Sequence, residues 1–330
     1  MTKMVLMGNA ESKIIGLLRS SGGAYASGQM ISRSLGISRN AVWKHVESLR
    51  KSGYPIKAFP RKGYVLKSEA APFNKTELGI ALSSSKFIGK TFVFFDSTDS
   101  TNLRAMELAK NGAAEGVAVI ADSQNEGRGR LGRKWVSPRG VNLYTSVIFR
   151  PNIPPHKAHA ITFVSAVAVA ETIGAFCRKK AEVKWPNDVL LDSKKVAGIL
   201  TEMSSETDRV NFMVVGIGIN ANMTLKDAPF EIKNVATSIT EKTSAPVNRI
   251  KLATVLYSNL EKWYKIFIKS GLPPVLKAWK DYFMKEGKPI TIKGLTGTVK
   301  GVCLGVDEEG ALLLRLPSGK VERVVSGDVE

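Results

Sequence analysis

Histidine, cysteine and acidic side chains are scarce in this chain. Three histidines occur in 330 residues, none at a ligand-like spacing, so no transition-metal centre is expected. The two cysteines, Cys177 and Cys303, lie far apart and form neither a metal-ligand nor a redox pair, which suits a reducing cytoplasm without disulfides. The opening MTKMVLMGNAESK lacks the apolar core of a signal peptide. The most apolar run, residues 158–177, carries His159, Glu171 and several hydroxyls, so a buried helix is expected there, with no membrane span. No Ser-His-Asp, Cys-His or paired-carboxylate constellation can be assembled from the motifs. Acids are outnumbered, 29 against 48 Lys and Arg, and the net charge of +19 implies an anionic partner such as nucleic acid, nucleotide or an acidic protein. Residues 1–67 hold twelve Lys and Arg against only Glu11 and Glu47.

What is present centres on GRGRLGRKW, Gly127 to Trp135, downstream of the strand-like VAVIA of residues 117–121. Glycines let the backbone approach a ligand, and arginines offer planar forks of donors that match phosphate or carboxylate oxygens two at a time. Gly127, Gly129 and Gly132 formally satisfy the dinucleotide fingerprint, but five polar residues, DSQNE, separate the strand from Gly127, and Pro138 and Gly140 interrupt the segment downstream, where a helix would have to open. A Walker A loop fails for want of Gly-Lys-Ser/Thr. A solvated basic turn is the alternative, disfavoured because like charges crowded together call for a counter-anion.

Residues 11–66 read as three short helices and a hairpin. Ser27 can cap a helix ending at Gly36, and Ser38 can cap RNAVWKHVESLRKS, whose Val42, Val46 and Leu49 repeat at helical spacing. This is a helix-turn-helix, with Ser38, Arg39, Asn40 and Lys44 at or near the exposed start of its second helix, where base edges are read. IKAFPRKGYVL adds a basic wing around Arg61, Lys62 and Gly63, suited to phosphates or the minor groove. A small interaction domain with a solvated basic face is the competing reading. Residues 68–75 read as a linker with Pro72.

The expected domains are a winged helix-turn-helix at 1–67, a linker at 68–75, a central domain at 76–283 and a C-terminal domain at 284–330. The central domain opens with TFVFFD and a repeated DST, Asp96-Ser97-Thr98 and Asp99-Ser100-Thr101, before a helix. Strands joined by tight turns predict a mixed or antiparallel sheet covered by helices on one side, an α+β architecture. Residues 247–283 are mostly helical, and the short strands after Glu286 suggest a five-stranded barrel.

Four motifs in order, GRGRLGRKW, KWPND (184–188), KKVAGIL (194–200) and GIGIN (216–220), resemble the biotin protein ligases across nearly the whole chain. With its N-terminal segment the chain is similar to the bifunctional kind, which also represses the biotin operon. The resemblance implies a class II synthetase-like central domain and an SH3-like C-terminal barrel. It implies that biotin and ATP, with Mg²⁺, give biotinyl-5'-adenylate, and that a lysine of a biotin carboxyl carrier domain then takes the biotinyl group. Biotin is expected at Ser100, Thr101, Asn102, Gln124, Gly127, Gly198 and Gly216, with the first DST repeat as the alternative location. Arg128 and Arg130 are expected on the carboxylate and phosphates, and Lys195 on the carboxylate and then the bridging oxygens. Arg133, Trp135, Asn187 and Asn220 are assigned to the nucleotide, and Asp188 is the candidate acceptor of the incoming lysine's proton. When carrier is scarce, retained adenylate would favour a homodimer on a palindromic operator, with the glycine-arginine loop ordered over the intermediate. The rivals are a lipoate ligase, a ligand-sensing repressor without catalysis, and a ligase whose winged helix no longer binds an operator.

Overall fold

The computed structural model describes residues 9–67, 72–177, 179–227, 230–294 and 297–329, and the chain divides into two compact units, 1–83 and 84–330. Half of the expected linker, 68–71, lies outside the described residues.

The first unit holds α1 (Asn9–Ser20), α2 (Gly28–Leu35), α3 (Arg39–Lys51), β1 (Ile56–Phe59), β2 (Gly63–Leu66) and α4 (Lys75–Leu82). Ser27 caps α2 by accepting from the Met30 amide, and Ser38 caps α3 by accepting from the Ala41 amide. Each cap contributes about 1 kcal/mol. Gly36 ends α2 at φ 64°, the left-handed region that glycine enters without steric cost. Val42, Val46 and Leu49 bury one stripe of α3 against Ile14, Ile15, Leu18 and Ile31. The wing pairs antiparallel, Ile56 opposite Leu66 and Phe59 opposite Gly63. Gly63 sits at φ 112°, and a Cβ there would lie 2.2 Å from the Ala26 carbonyl oxygen, so the tip of the wing packs on backbone. One boundary differs from expectation. Helix α4, assigned to the central domain from residue 76, folds with the N-terminal unit: Glu77 accepts from Arg19 at 2.8 Å and from the Tyr54 hydroxyl at 2.5 Å. Burial and the Glu77 carboxylate together push the Tyr54 hydroxyl well above its usual range.

The second unit is built on a seven-stranded sheet formed by β3 (Phe92–Phe95), β4 (Ala118–Ala121), β5 (Leu143–Phe149), β6 (Glu182–Lys184), β7 (Asp188–Leu191), β8 (Lys194–Ser205) and β9 (Val210–Ile219). Its order is β3-β4-β5-β9-β8-β7-β6, with β3 and β4 parallel and every other pair antiparallel. The parallel pair follows from α5 (Thr101–Lys110), which carries the chain between them. Among the helices are α6 (Ala160–Phe176), the short α7 (Phe230–Lys233) and α8 (Ile239–Thr243), α9 (Arg249–Ser270) and α10 (Pro273–Lys280). Helices cover both faces of the sheet. Thr145 of β5 bonds Tyr257 of α9, whereas the next residue, Ser146, bonds Asn102 of α5, and successive strand residues point to opposite faces. The expectation of one covered face overlooked α5, whose single short helix leaves room beside it. The apolar run is long enough to span a membrane by length and composition, but it is α6, with Ile161, Val164, Val167, Ala168, Val169 and Ile173 at 0% exposure, packed against α9, α10 and the sheet. Strands β10 (Pro289–Lys293), β11 (Thr298–Val306), β12 (Leu312–Arg315), β13 (Val321–Val324) and β14 (Asp328–Val329) form the C-terminal five-stranded antiparallel element around Ile292, Cys303, Leu312 and Leu314.

Candidate functional site

A cleft on the α5 face of the sheet gathers most of the residues singled out by the sequence. Its lining includes Ser100, Thr101, Asn102, Gln124, Arg128, Arg130, Arg133, Trp135, Asn187, Asp188, Lys195, Gly198 and Gly216. The second DST repeat reaches it, while Thr98 of the first is turned to Asp99 and Arg104, which settles which repeat faces the cleft.

The floor is glycine. Gly198 of β8 stands opposite Gly218 of β9, and Gly216 opposite Ser146 of β5. A Cβ on Gly216 would lie 2.0 Å from Asn102 Oδ1, and one on Gly218 would lie 2.5 Å from the Trp135 ring. The missing side chains therefore let an amide and an indole lie directly on the strands. A polar chain then fixes the start of α5. Ser146 Oγ donates to Asn102 Oδ1 at 2.6 Å and lies 2.8 Å from the Thr101 hydroxyl, and Gln124 Oε1 accepts from the Thr101 amide at 2.8 Å. Asp99 accepts from the Ser100 amide at 2.6 Å. Burial alone would raise the Asp99 pKa, but the Ser100 amide, the Thr98 hydroxyl and Arg104 hold it below the usual carboxylate range.

The glycine-arginine loop is a small hairpin: the Gly129 amide donates to the Arg133 carbonyl at 2.7 Å and the Trp135 amide to the Gly127 carbonyl at 2.8 Å. Leu131 at its tip has φ 54° and is exposed. The three arginines have different partners. Arg130 Nη1 donates to Asn187 Oδ1 at 3.1 Å and to Asp328 Oδ1 of β14 at 3.2 Å, and Arg133 pairs with Asp328 Oδ2 at 2.6 Å. Arg128 reaches Glu202 at 3.4 Å. Lys195 pairs with Asp188 at 2.7 Å, with its ammonium 5.2 Å from the Trp135 ring centroid. The Trp135 indole N–H is buried without an acceptor among the described residues, a donor open to a ligand atom. Six Lys and Arg line the cleft against two carboxylates, Asp188 and Asp328, so it is built for anions.

Two assigned residues do not line the cleft. Asn220 is 4% exposed, and its amide donates to the Thr237 carbonyl at 3.1 Å while its oxygen faces Asn142. It ties the end of β9 to the loop beyond it. Gly127 gives room to its own hairpin, since a Cβ there would lie 2.3 Å from the Trp135 carbonyl oxygen. Conversely, Tyr144, Lys184, Leu200 and Asp328 line the cleft and were not singled out. Lys184 sits in a motif that was quoted for other residues, whereas nothing local marks Asp328.

In the first unit, Arg39, Asn40, Lys44, Arg61 and Lys62 are all exposed, as a nucleic-acid surface requires. Ser38 is also exposed, but its hydroxyl is engaged as the α3 cap. Trp43 is 52% exposed on α3, four residues after Arg39 and three after Asn40.

Three stretches of the chain match known families. The Biotin/lipoate A/B protein ligase family profile matches residues 94–220, an HTH domain matches 11–65, and the Biotin protein ligase C terminal domain matches 287–330. The bifunctional ligase/repressor BirA of Bacillus spizizenii is 39% identical over 96% of this chain and 97% of its own length. That of Escherichia coli is 31% identical over 96% and 95%. Among solved structures, the biotin protein ligase from Aquifex aeolicus in complex with biotin and ATP superposes with TM-score 0.62, at 29% identity over 72% of this chain and 97% of that one. Such identity over nearly the whole length, with ligase, helix-turn-helix and C-terminal segments all in place, means that the chain belongs to the biotin protein ligases, in the group of bifunctional ligase/repressors.

Proposed function

We propose that this protein activates biotin with ATP to biotinyl-5'-adenylate, transfers the biotinyl group to a lysine of a biotin carboxyl carrier domain, and represses biotin-synthesis genes with the adenylate as corepressor. The observation that carries the ligase reading is one cleft where neutral donors on α5 meet three arginines and a lysine. Joining biotin's carboxylate to a polyphosphate brings two anions together, so charge neutralisation and alignment dominate the barrier. In the first step a carboxylate oxygen attacks the α-phosphorus and pyrophosphate leaves. In the second, the lysine amine attacks the acyl carbon, AMP leaves, and the amine's proton is lost.

Thr101 and Asn102, with Ser100 and Gln124, would hold the ureido ring and side chain. Arg128 and Lys195 would neutralise the carboxylate, and Arg130 and Arg133 the phosphates. Trp135 offers its ring and its free N–H to the nucleotide, with Asn187 beside Arg130. Asp188, 2.7 Å from Lys195, would accept the proton lost by the incoming amine. Mg²⁺ would arrive on the triphosphate and offset its charge; among the described residues no acidic cluster gathers to hold it, since Asp188 pairs with Lys195 and Asp328 with Arg130 and Arg133. The exposed basic start of α3 and the wing would hold operator DNA, and adenylate-dependent homodimerisation would match two such readers to a palindrome, in a cytoplasmic protein.

Transfer of radiolabelled biotin to a carrier domain, compared with lipoate, tests the ligase. A gel shift with the upstream DNA of biotin-synthesis genes, with and without biotin and ATP, tests the repressor. Lipoate transfer in preference to biotin, or a shift indifferent to ligand, overturns the corresponding half.

A further inference from the structure

Glu202 belongs to none of the motifs, yet two residues of the cleft converge on it. It lies on β8 opposite Val214 of β9, side chain 28% exposed. Asn102 Nδ2 donates to its Oε2 at 2.8 Å, and Arg128 Nη1 approaches its Oε1 at 3.4 Å. Asn102 Oδ1 is meanwhile held by Ser146 Oγ, and Gly216 leaves the space in which the amide lies. Carboxylates and backbone carbonyls only accept, so Glu202, with the Leu200 carbonyl at 3.3 Å as a longer second acceptor, fixes which end of Asn102 is nitrogen.

The three loop arginines are not held equally. Arg130 has Asn187 and Asp328, and Arg133 has a short contact to Asp328. Arg128 has one long, single-point contact, with its side chain 48% exposed. An exposed pair of that geometry is weak and readily exchanged.

We propose that Glu202 is a positioning residue for biotin capture: it orients Asn102 and holds Arg128 as a stand-in for biotin's carboxylate, which displaces it on binding. The inference rests on the biotin reading of the cleft. The Glu202 carboxylate competes with biotin's for the same guanidinium, so it lowers biotin affinity slightly while keeping Arg128 within reach. Its hydrogen bond to Asn102 persists after the exchange.

The two duties separate by substitution. Glu202→Gln keeps a carbonyl oxygen for Asn102 and removes the charge facing Arg128, so biotin measured by calorimetry should bind about two- to fivefold more tightly. Glu202→Ala removes that acceptor as well and leaves Asn102 Nδ2 only its longer contact to the Leu200 carbonyl at 3.3 Å, weakening biotin roughly tenfold. The tightening should vanish when Glu202→Gln is compared in an Arg128→Gln background, because the competing partner is gone. A merely structural glutamate would weaken binding in both single variants, and E202Q binding no more tightly than the parent overturns the proposal. A gain that survives in the Arg128→Gln background also overturns it. If the parent itself binds no biotin, the reading of the cleft has failed instead.

Discussion

At the scale of single residues, the cleft is shaped by side chains that are missing. Gly216, Gly218 and Gly198 lie on neighbouring strands and give Asn102 and Trp135 a flat floor, which a methyl group would occupy. Gly216→Ala would push the Asn102 amide off its seat between Ser146 and Glu202, an overpacking of about 1–3 kcal/mol. Biotin KM should then rise roughly tenfold or more in the adenylation assay, with operator binding by the N-terminal unit unchanged. A KM within twofold of the parent would mean that Asn102 does not hold the vitamin. The contrast with Asn220 is instructive: it ends a motif rich in glycine, yet its amide serves the backbone of Thr237. Sequence order marks both residues equally, and only burial and partners tell them apart.

At the scale of elements, the loop of residues 127–135 is fastened to the far end of the chain. Asp328, on β14, accepts from Arg130 and pairs with Arg133, so the C-terminal element supplies the counter-charge for the loop. Asp328→Asn should release it, and trypsin should cut after Arg130 and Arg133 roughly two- to fivefold faster, since each solvent-accessible pair is worth about 0.2–1 kcal/mol. Bound biotinyl-adenylate should restore protection, and cleavage as slow as in the parent would rule the tether out. Such contacts mark the boundary of what a sequence makes legible. The caps of α2 and α3, the wing and the anion-binding character of the loop follow from patterns within a few residues. Asp328 and Glu202 meet their arginines across 198 and 74 residues, and no local pattern announces them. The same holds for α4, whose allegiance to the N-terminal unit depends on Arg19 and Tyr54 meeting Glu77.

At the scale of the whole molecule, the surplus of cations serves two different anions. In the second unit it lines a cleft, where small reactants would meet it; in the first it lies on an exposed helix start and wing. Phosphate contacts release counterions, so Arg61→Ala with Lys62→Ala should lower the slope of log affinity against log salt for operator DNA by about two. Biotinylation of a carrier domain should be unchanged. An unaltered slope would remove the wing from the DNA interface.

The N-terminal unit closes on itself by Ser83, whereas the rim of the cleft is finished only by Asp328. During synthesis on the ribosome the reader therefore folds long before the vitamin-sensing half exists. A transcript cut short between those points would release a basic reader deaf to biotin, competing with intact protein for the same stretch of DNA.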